Sequence, residues 1–548
     1  MRENFVLFQR DKKQINVMFR RVLLIITLLL TGLCANADVS YRLVSDGAEV
    51  SHCDGISALI IPYEVQINGI NYAVVSIGEG AFCHSDEIEV VVLPHTITRI
   101  ENAAFMGCSN LHTVSLSQLL TTIADDAFAG CELLSGIDLP DGVTHIGKRA
   151  FKDCKSLSVF SFPASVASVG DGVLSGCHNI QAIRFEDSNQ SLNVDGVLDE
   201  KIPVSTLYMG RDVDGFTMHN SSLQSVSMGD NVTTIPAEAF ADCHGLKVVN
   251  LSQSLSYIGD DAFKNCSSLL ALQIPDGVKY LGCEAFSGCR SMLDLELPDN
   301  ISAVPSGLFA KCESLQRVAI PFGVEEIADT AFAHCTSLRE LVLPGTLLSV
   351  GDGAFAYCSQ LQDVILPNKL TSVGMGAFAF CTSLDRVVVM SPLESLSESL
   401  FAHSGISEII LPATLTEIGN TAFIGCDRLV SIELPTSIKK IGNGAFSDCL
   451  SLFRINIPTA VTHIGDYAFM DCLNLTEVQL GSNIKFIGEM AFANCRNLQS
   501  VSLPRSLQHL SYGMFSGCYR LTSVKIPARL KVSMYNFVGV SRSIITYW

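Results

Sequence analysis

Apolar positions along this chain return on a fixed period. Phe stands at 82, 105, 128 and 151, then at 240, 263, 286, 309, 332, 355, 378 and 401, then at 423, 446, 469, 492 and 515, and Leu174 takes the same place once. Nearly every step is 23 residues, and the gap from Leu174 to Phe240 equals three units of 22. Five positions before this marker stands Ile, Val or Leu in all 18 units, from Ile77 to Leu510. Position six after it is nearly always Leu, Ile or Met, and positions nine and eleven are mostly apolar. Only buried positions need that uniformity, and self-similarity on such a period signals a solenoid of stacked coils.

Each unit divides into two predicted elements. The segment L-x-x-V-x-L-P, as in Leu315-Gln316-Arg317-Val318-Ala319-Ile320-Pro321, places apolar residues two apart on one side of a short strand. Pro then ends it, because it has no amide to give to a ladder. The Ala-Phe-x-x-Cys segment fits one helical turn, in which residues three apart share a face, so Phe and Cys point together into the interior. Eleven units carry Gly just after the Ile or Val, for example Gly259, Gly351 and Gly442. That suits either a turn needing positive φ or a close approach of neighbouring coils.

Sixteen of the 20 cysteines lie three residues after the marker. There they are expected to fill the narrow space beside each Phe as small buried residues. One thiol per coil at strand spacing leaves Cβ atoms about 4.8 Å apart, beyond the roughly 3.8 Å typical of a disulfide, so free thiols are expected. Cys53, Cys83 and Cys283 lie off this ladder, and a bond between Cys53 and Cys83 is an alternative. There is no C-x-x-C pair, which argues against zinc.

The pattern L-x-x-V-x-L-P-x-x-V-x-x-I-G-x-x-A-F-x-x-C over about residues 77 to 527 resembles the leucine-rich repeat, in its bacterial BspA-like form. The resemblance implies an α/β repeat: a solenoid with a parallel sheet on one face and short helical turns on the other. About 18 units are clear and others degraded. It also implies exported bacterial proteins, some also found in protist parasites, that act in adhesion and host-protein binding without catalysis.

The flanks differ. Residues 1–37 read as a signal peptide: Arg20 and Arg21 precede VLLIITLLLTGLC, and Ala35-Asn36-Ala37 supplies a small-x-small cleavage site. Met18 is an alternative start, and Cys34 an alternative lipid anchor, although Leu33 before it is larger than such anchors use. Residues 38–76 are expected to form an N-terminal β cap, with a hairpin in VQINGINYAV turning at Asn68-Gly69. Regular repeats then cover 77–185 and 233–527, an insertion or distorted coils 186–232, and a C-terminal cap 528–548. No later segment is long and apolar enough for a membrane helix.

Charge narrows the partners. The chain has 36 Lys+Arg against 55 Asp+Glu, and without the leader 30 against 53, a net charge near −23. That argues against nucleic acid and anionic membrane. Gly142-Val-Thr-His-Ile-Gly147-Lys148 mimics a phosphate-binding loop, but Arg149 stands where Ser or Thr must hold Mg²⁺. Asp195, Asp199, Asp212 and Asp214 lack calcium-loop spacing. His178, His244 and His334 read as exposed coil residues rather than catalytic bases. No catalytic residue, metal site or cofactor is expected.

Function is therefore sought on the outward strand positions, eight and ten past the marker (seven and nine after Phe401). Glu340, Val342, Asp363, Ile365, Arg386, Val388, Glu408 and Ile410 form the candidate site: four apolar residues on adjacent rungs, flanked by charges. The competing explanation is that β-branched residues suit strands wherever they face. The expected partner is a protein, such as a host extracellular-matrix or surface protein, with a glycan as another option. The expected location is the cell surface or outside the cell, with the periplasm an alternative. A recognition subunit for a secreted enzyme or glycan-utilisation system is the second reading, and a hydrolase using 186–232 a third.

Overall fold

A computed structural model describes residues 39–53, 55–198, 202–533 and 535–548. The expected signal peptide, with Met18 and Cys34, lies outside the described residues, as does Asp199. The chain forms two compact units, divided between Phe216 and Thr217.

The first unit starts from antiparallel pairs. Ser40–Val44 pairs with Gly47–His52, and Glu64–Ile67 with Ile70–Ile77. The second hairpin turns at Asn68 and Gly69, whose φ values of 52° and 83° are those of a type I′ turn. Gly47–His52 and Ile70–Ile77 then run parallel, and Ile70–Ile77 continues parallel into Arg99–Ile100. Glu49 is buried at this junction, where Ser76 Oγ donates to it at 2.8 Å and Arg42 pairs with it.

From there most coils contribute two short parallel strands. In the first unit one ladder includes Arg99–Ile100, Thr122–Ile123, His145–Ile146 and Ser168–Val169, and the other includes Val90–Val92 and Thr113–Ser115. The second unit repeats the scheme, for example Glu326–Ile327 beside Ser349–Val350, and Asp363–Leu366 beside Arg386–Val389. The Ile/Val before each Gly, expected only as a buried anchor, thus also lies on a ladder of its own.

The expected helical turns do not form. Among the described residues there is no α-helix, and one 3₁₀ turn at Arg542–Ile544. The coil around Phe263 shows why. The amides of Ala262, Lys264 and Cys266 donate three residues back, to Gly259, Asp261 and Phe263. Those between them, of Asp261, Phe263 and Asn265, donate to Cys283, Ala285 and Ser287 of the next coil at 2.9, 2.8 and 2.7 Å. An α-helix would take every amide for its own i−4 carbonyl. Asp261 and Asn265 have φ of 55° and 59°, which also breaks a right-handed helix. Phe263 and Cys266 nevertheless both point inward and are fully buried, as expected.

The Gly before this turn serves close approach rather than positive φ. A Cβ on Gly259 would lie 2.4 Å from the Ala237 amide nitrogen of the preceding coil. Inside, the marker rings stack face to face: from Phe240 to Phe537, successive centroids lie 5.1 to 5.9 Å apart. Beside them the 16 ladder cysteines carry free thiols. Most donate to the marker carbonyl one coil back, as Cys266 Sγ to Phe240 O at 3.2 Å and Cys335 Sγ to Phe309 O at 3.2 Å. Burial pushes the thiols of Cys108, Cys381 and Cys426 up to about 12 and that of Cys243 to about 11. The Cys53–Cys83 bond is not formed, since Cys83 carries a free thiol.

The stretch after residue 186 continues to coil within the first unit. Ala182–Phe185 pairs with Thr206–Met209, and Leu192–Asn193 with Val213–Asp214. Arg211, within the stretch expected as an insertion or distorted coils, is fully buried. Its guanidinium donates to the carbonyls of Val166, Pro163 and Glu186 at 2.9, 2.7 and 3.2 Å.

Candidate functional site

In the second unit the strand after each Cys alternates strictly. Val364, Leu366, Val387, Val389 and Ile409 are buried, whereas Val342, Ile365 and Ile410 are 76, 54 and 46% exposed and Val388 is half-buried. Inward residues anchor the coil, so the outward ones between them are held on a pleated surface. Pairing puts Ile365, Val388 and Ile410 directly side by side on three adjacent strands. Val342 lies in the coil before them, at the end of a separate four-stranded ladder whose neighbouring rung is Arg317–Ala319. Three of the four apolar candidates are therefore in one ladder, and the fourth borders it.

The flanking charges divide. Arg386 Nε lies 3.6 Å from Glu408 Oε2, while Glu340 and Asp363 are exposed acids on the preceding rungs. Surface pairs of this kind contribute little to stability but set which partner charges are accepted.

Two exposed apolar residues extend the stripe. Phe322 is 76% exposed and walls a groove of about 680 Å³ together with Asp294, Arg317, Glu340 and Val342. Met390 is 60% exposed, just beyond Val389. Both fall after the strand, outside the alternation used to select candidates. The available signals were Phe322 next to Pro321, and Met390 at the place where most units have Pro.

The other sequence candidates resolve differently. His178, His244 and His334 are exposed, as expected. His334 stacks on Tyr357 at 4.4 Å, Tyr357 on Phe380 at 4.5 Å, and Phe380 on His403 at 4.9 Å. All four hold the left-handed position two past the marker, with φ from 54° to 65°. Arg149, in the string that mimicked a phosphate loop, makes a bidentate pair with Asp126 one coil back, at 2.9 and 2.6 Å. Among the described residues, no three His, Cys, Asp or Glu side chains are grouped to hold a metal. No helix among them is long and apolar enough to cross a membrane.

Two-strand coils on a 23-residue period, with a stacked Phe column and a thiol ladder, define a parallel β-solenoid of the leucine-rich-repeat class. The profile described as "BspA type Leucine rich repeat region (6 copies)" matches residues 75–195, 212–327, 302–430 and 416–541, and the chain belongs to that family. Leucine-rich repeat proteins of this kind typically mediate protein binding. A search of curated proteins returns no match.

Solved structures with similarity include a leucine-rich repeat protein from Bacteroides ovatus, 22% identical, covering 94% of this chain and 99% of that one, at a TM-score of 0.37. A leucine rich cell surface protein from Faecalibacterium prausnitzii is 23% identical, covering 81% and 94%, at 0.30. The T. pallidum leucine rich repeat protein is 24% identical, covering 42% and 87%, at 0.27.

Proposed function

We propose that this chain is an exported, non-enzymatic binding protein that recognises a host extracellular-matrix or surface protein in adhesion, through the stripe Val342, Ile365, Val388 and Ile410. One observation carries the reading. Within the second unit the outward position of that register is Asn250, Gln273, Glu296 and Ala319 before the stripe, and Glu433, Asn456, Gln479, Ser502 and Lys525 after it. Large apolar residues occupy it only on four consecutive coils. If β-propensity alone chose them they would be scattered over all the rungs. A contiguous apolar strip with charged margins is the surface that a protein partner covers, with a few large side chains supplying most of the affinity.

The test is Ile365→Lys with Val388→Lys, assayed against immobilised matrix proteins by surface plasmon resonance. Loss of at least tenfold in affinity with an unchanged circular dichroism spectrum is expected. Undiminished binding by a folded double variant would remove the stripe from the reading. Export is tested separately, by locating the N-terminus of the secreted chain against the Ala37 cleavage site.

A further inference from the structure

We infer a second, chemically distinct site in the second unit: a groove that binds a neutral oligosaccharide, built on the strands Glu477–Gln479, Ser500–Ser502 and Ser523–Ile526 and walled by Trp548. The groove encloses about 570 Å³, a volume in the range of small-ligand sites. The outward strand residues that line it are all polar, Gln479, Ser500, Ser502, Ser523 and Lys525, with Leu480 and Pro504 beside them. Gln479 Nε2 donates to Glu477 Oε1 at 3.0 Å. Short hydroxyls, an amide and one charge of each sign on neighbouring rungs offer donors and acceptors in mixed order.

The wall is placed by backbone pairing. Ile545–Tyr547 adds parallel to Ser523–Ile526, and Trp548 is held at both its amide, on Ile526 O at 3.1 Å, and its carbonyl, which accepts from Ala528 at 3.1 Å. The Arg505 guanidinium lies over the indole, 4.8 Å from its centroid, and Trp548 is 48% exposed. An aromatic ring that is apolar on its body and fixed at a polar floor suits a ligand with C–H faces and a rim of hydroxyls. An apolar peptide would have to desolvate this floor without replacing its hydrogen bonds. A polyanion would meet a chain of strong net negative charge.

Trp548 is the single tryptophan of the sequence, so its emission reports on this groove alone. The full chain is titrated with gluco-, manno- and xylo-hexaose while tryptophan fluorescence is followed. At least one sugar is expected to give a saturable change, and Ser502→Leu with Gln479→Ala, both at exposed positions, should raise its Kd at least tenfold without moving the melting temperature. Ile365→Lys should leave the titration unchanged, which separates this site from the stripe. No saturable change with any of the three, a response only to charged oligouronates, or one that the Ser502/Gln479 variant retains would overturn the assignment.

Discussion

Raising the pH should dismantle this protein through its thiol ladder. Burial holds the thiols of Cys381 and Cys426 near 12 against an ordinary value of 9.0, and raises Cys335 and Cys358 in the same direction. The folded state therefore keeps protons that the unfolded chain releases. Because a folded value lies above the unfolded one, the contribution is fully present below about pH 9 and is lost as pH rises towards the folded value. Each such thiol costs about 1.4 kcal/mol per pH unit within that window. Coils that open together add their terms, so the three around Cys335, Cys358 and Cys381 lose about 4 kcal/mol per unit. That is a large part of the stability of an ordinary domain. Thermal melts by circular dichroism at intervals from pH 7 to 11 give the slope, and hydrogen exchange localises it. Tyr and Lys titrate in the same range, so the control is Cys335→Ala with Cys358→Ala. At pH 8 that variant should be less stable, yet its alkaline slope should be shallower, by up to about 3 kcal/mol per unit. A melting temperature that stays flat from pH 9 to 11, or a variant slope equal to that of the native chain, would refute the buried-proton account.

Arg211→Met removes the donors to Val166 O, Pro163 O and Glu186 O. Loss of these three donors, with Pro163 O keeping the Val166 amide at 3.1 Å, should cost about 2 kcal/mol after the relief of desolvating a charge, read as earlier urea unfolding of the first unit. Gly259→Ala would put a Cβ 2.4 Å from the Ala237 nitrogen. Because backbone must move, a loss of about 2 to 3 kcal/mol is expected, measured by denaturant melts. Tyr357→Ala breaks two stacked contacts at 4.4 and 4.5 Å. It should lower stability by about 1 to 3 kcal/mol and speed exchange of the amides around His334 and Phe380.

The coil was legible because its buried positions are repeated some eighteen times, and repetition averages out local exceptions. Phe263 and Cys266 could be placed inside from spacing alone, since residues three apart share a face in a helix and in linked turns alike. That ambiguity produced the incorrect helix. The distinguishing signal lay two residues after several markers, where Gly107, Asp242, Asn265 and Gly288 are residue types that accept left-handed backbone. Arg211 was not legible, because a charged residue in a degraded repeat reads as solvated until the three carbonyls around it are seen. At the candidate site, alternation was enough to expose Val342, Ile365 and Ile410. Phe322 and Met390 escaped because they lie past the strand, where no periodicity assigns a face.

The stripe and the groove share one ladder scheme and differ only in what stands between its anchors, and this bears on why the apolar residues are there. Folding is carried by the Phe column, the thiols and the inward Leu, Ile and Val, all fully or nearly buried. Outward substitutions on such a scaffold usually change stability by less than about half a kcal/mol. Ser502 and Lys525 fill outward strand positions equivalent to those of Val342 and Ile365. The fold therefore does not require Val or Ile at these positions. A side chain 76% exposed, such as Val342, gains little from burial within its own coil. It also adds to an apolar patch that a soluble protein keeps small. Four such residues in succession, in a unit that otherwise offers Asn, Gln, Glu, Ala, Ser and Lys at the same place, are the observation on which the proposed binding stripe rests.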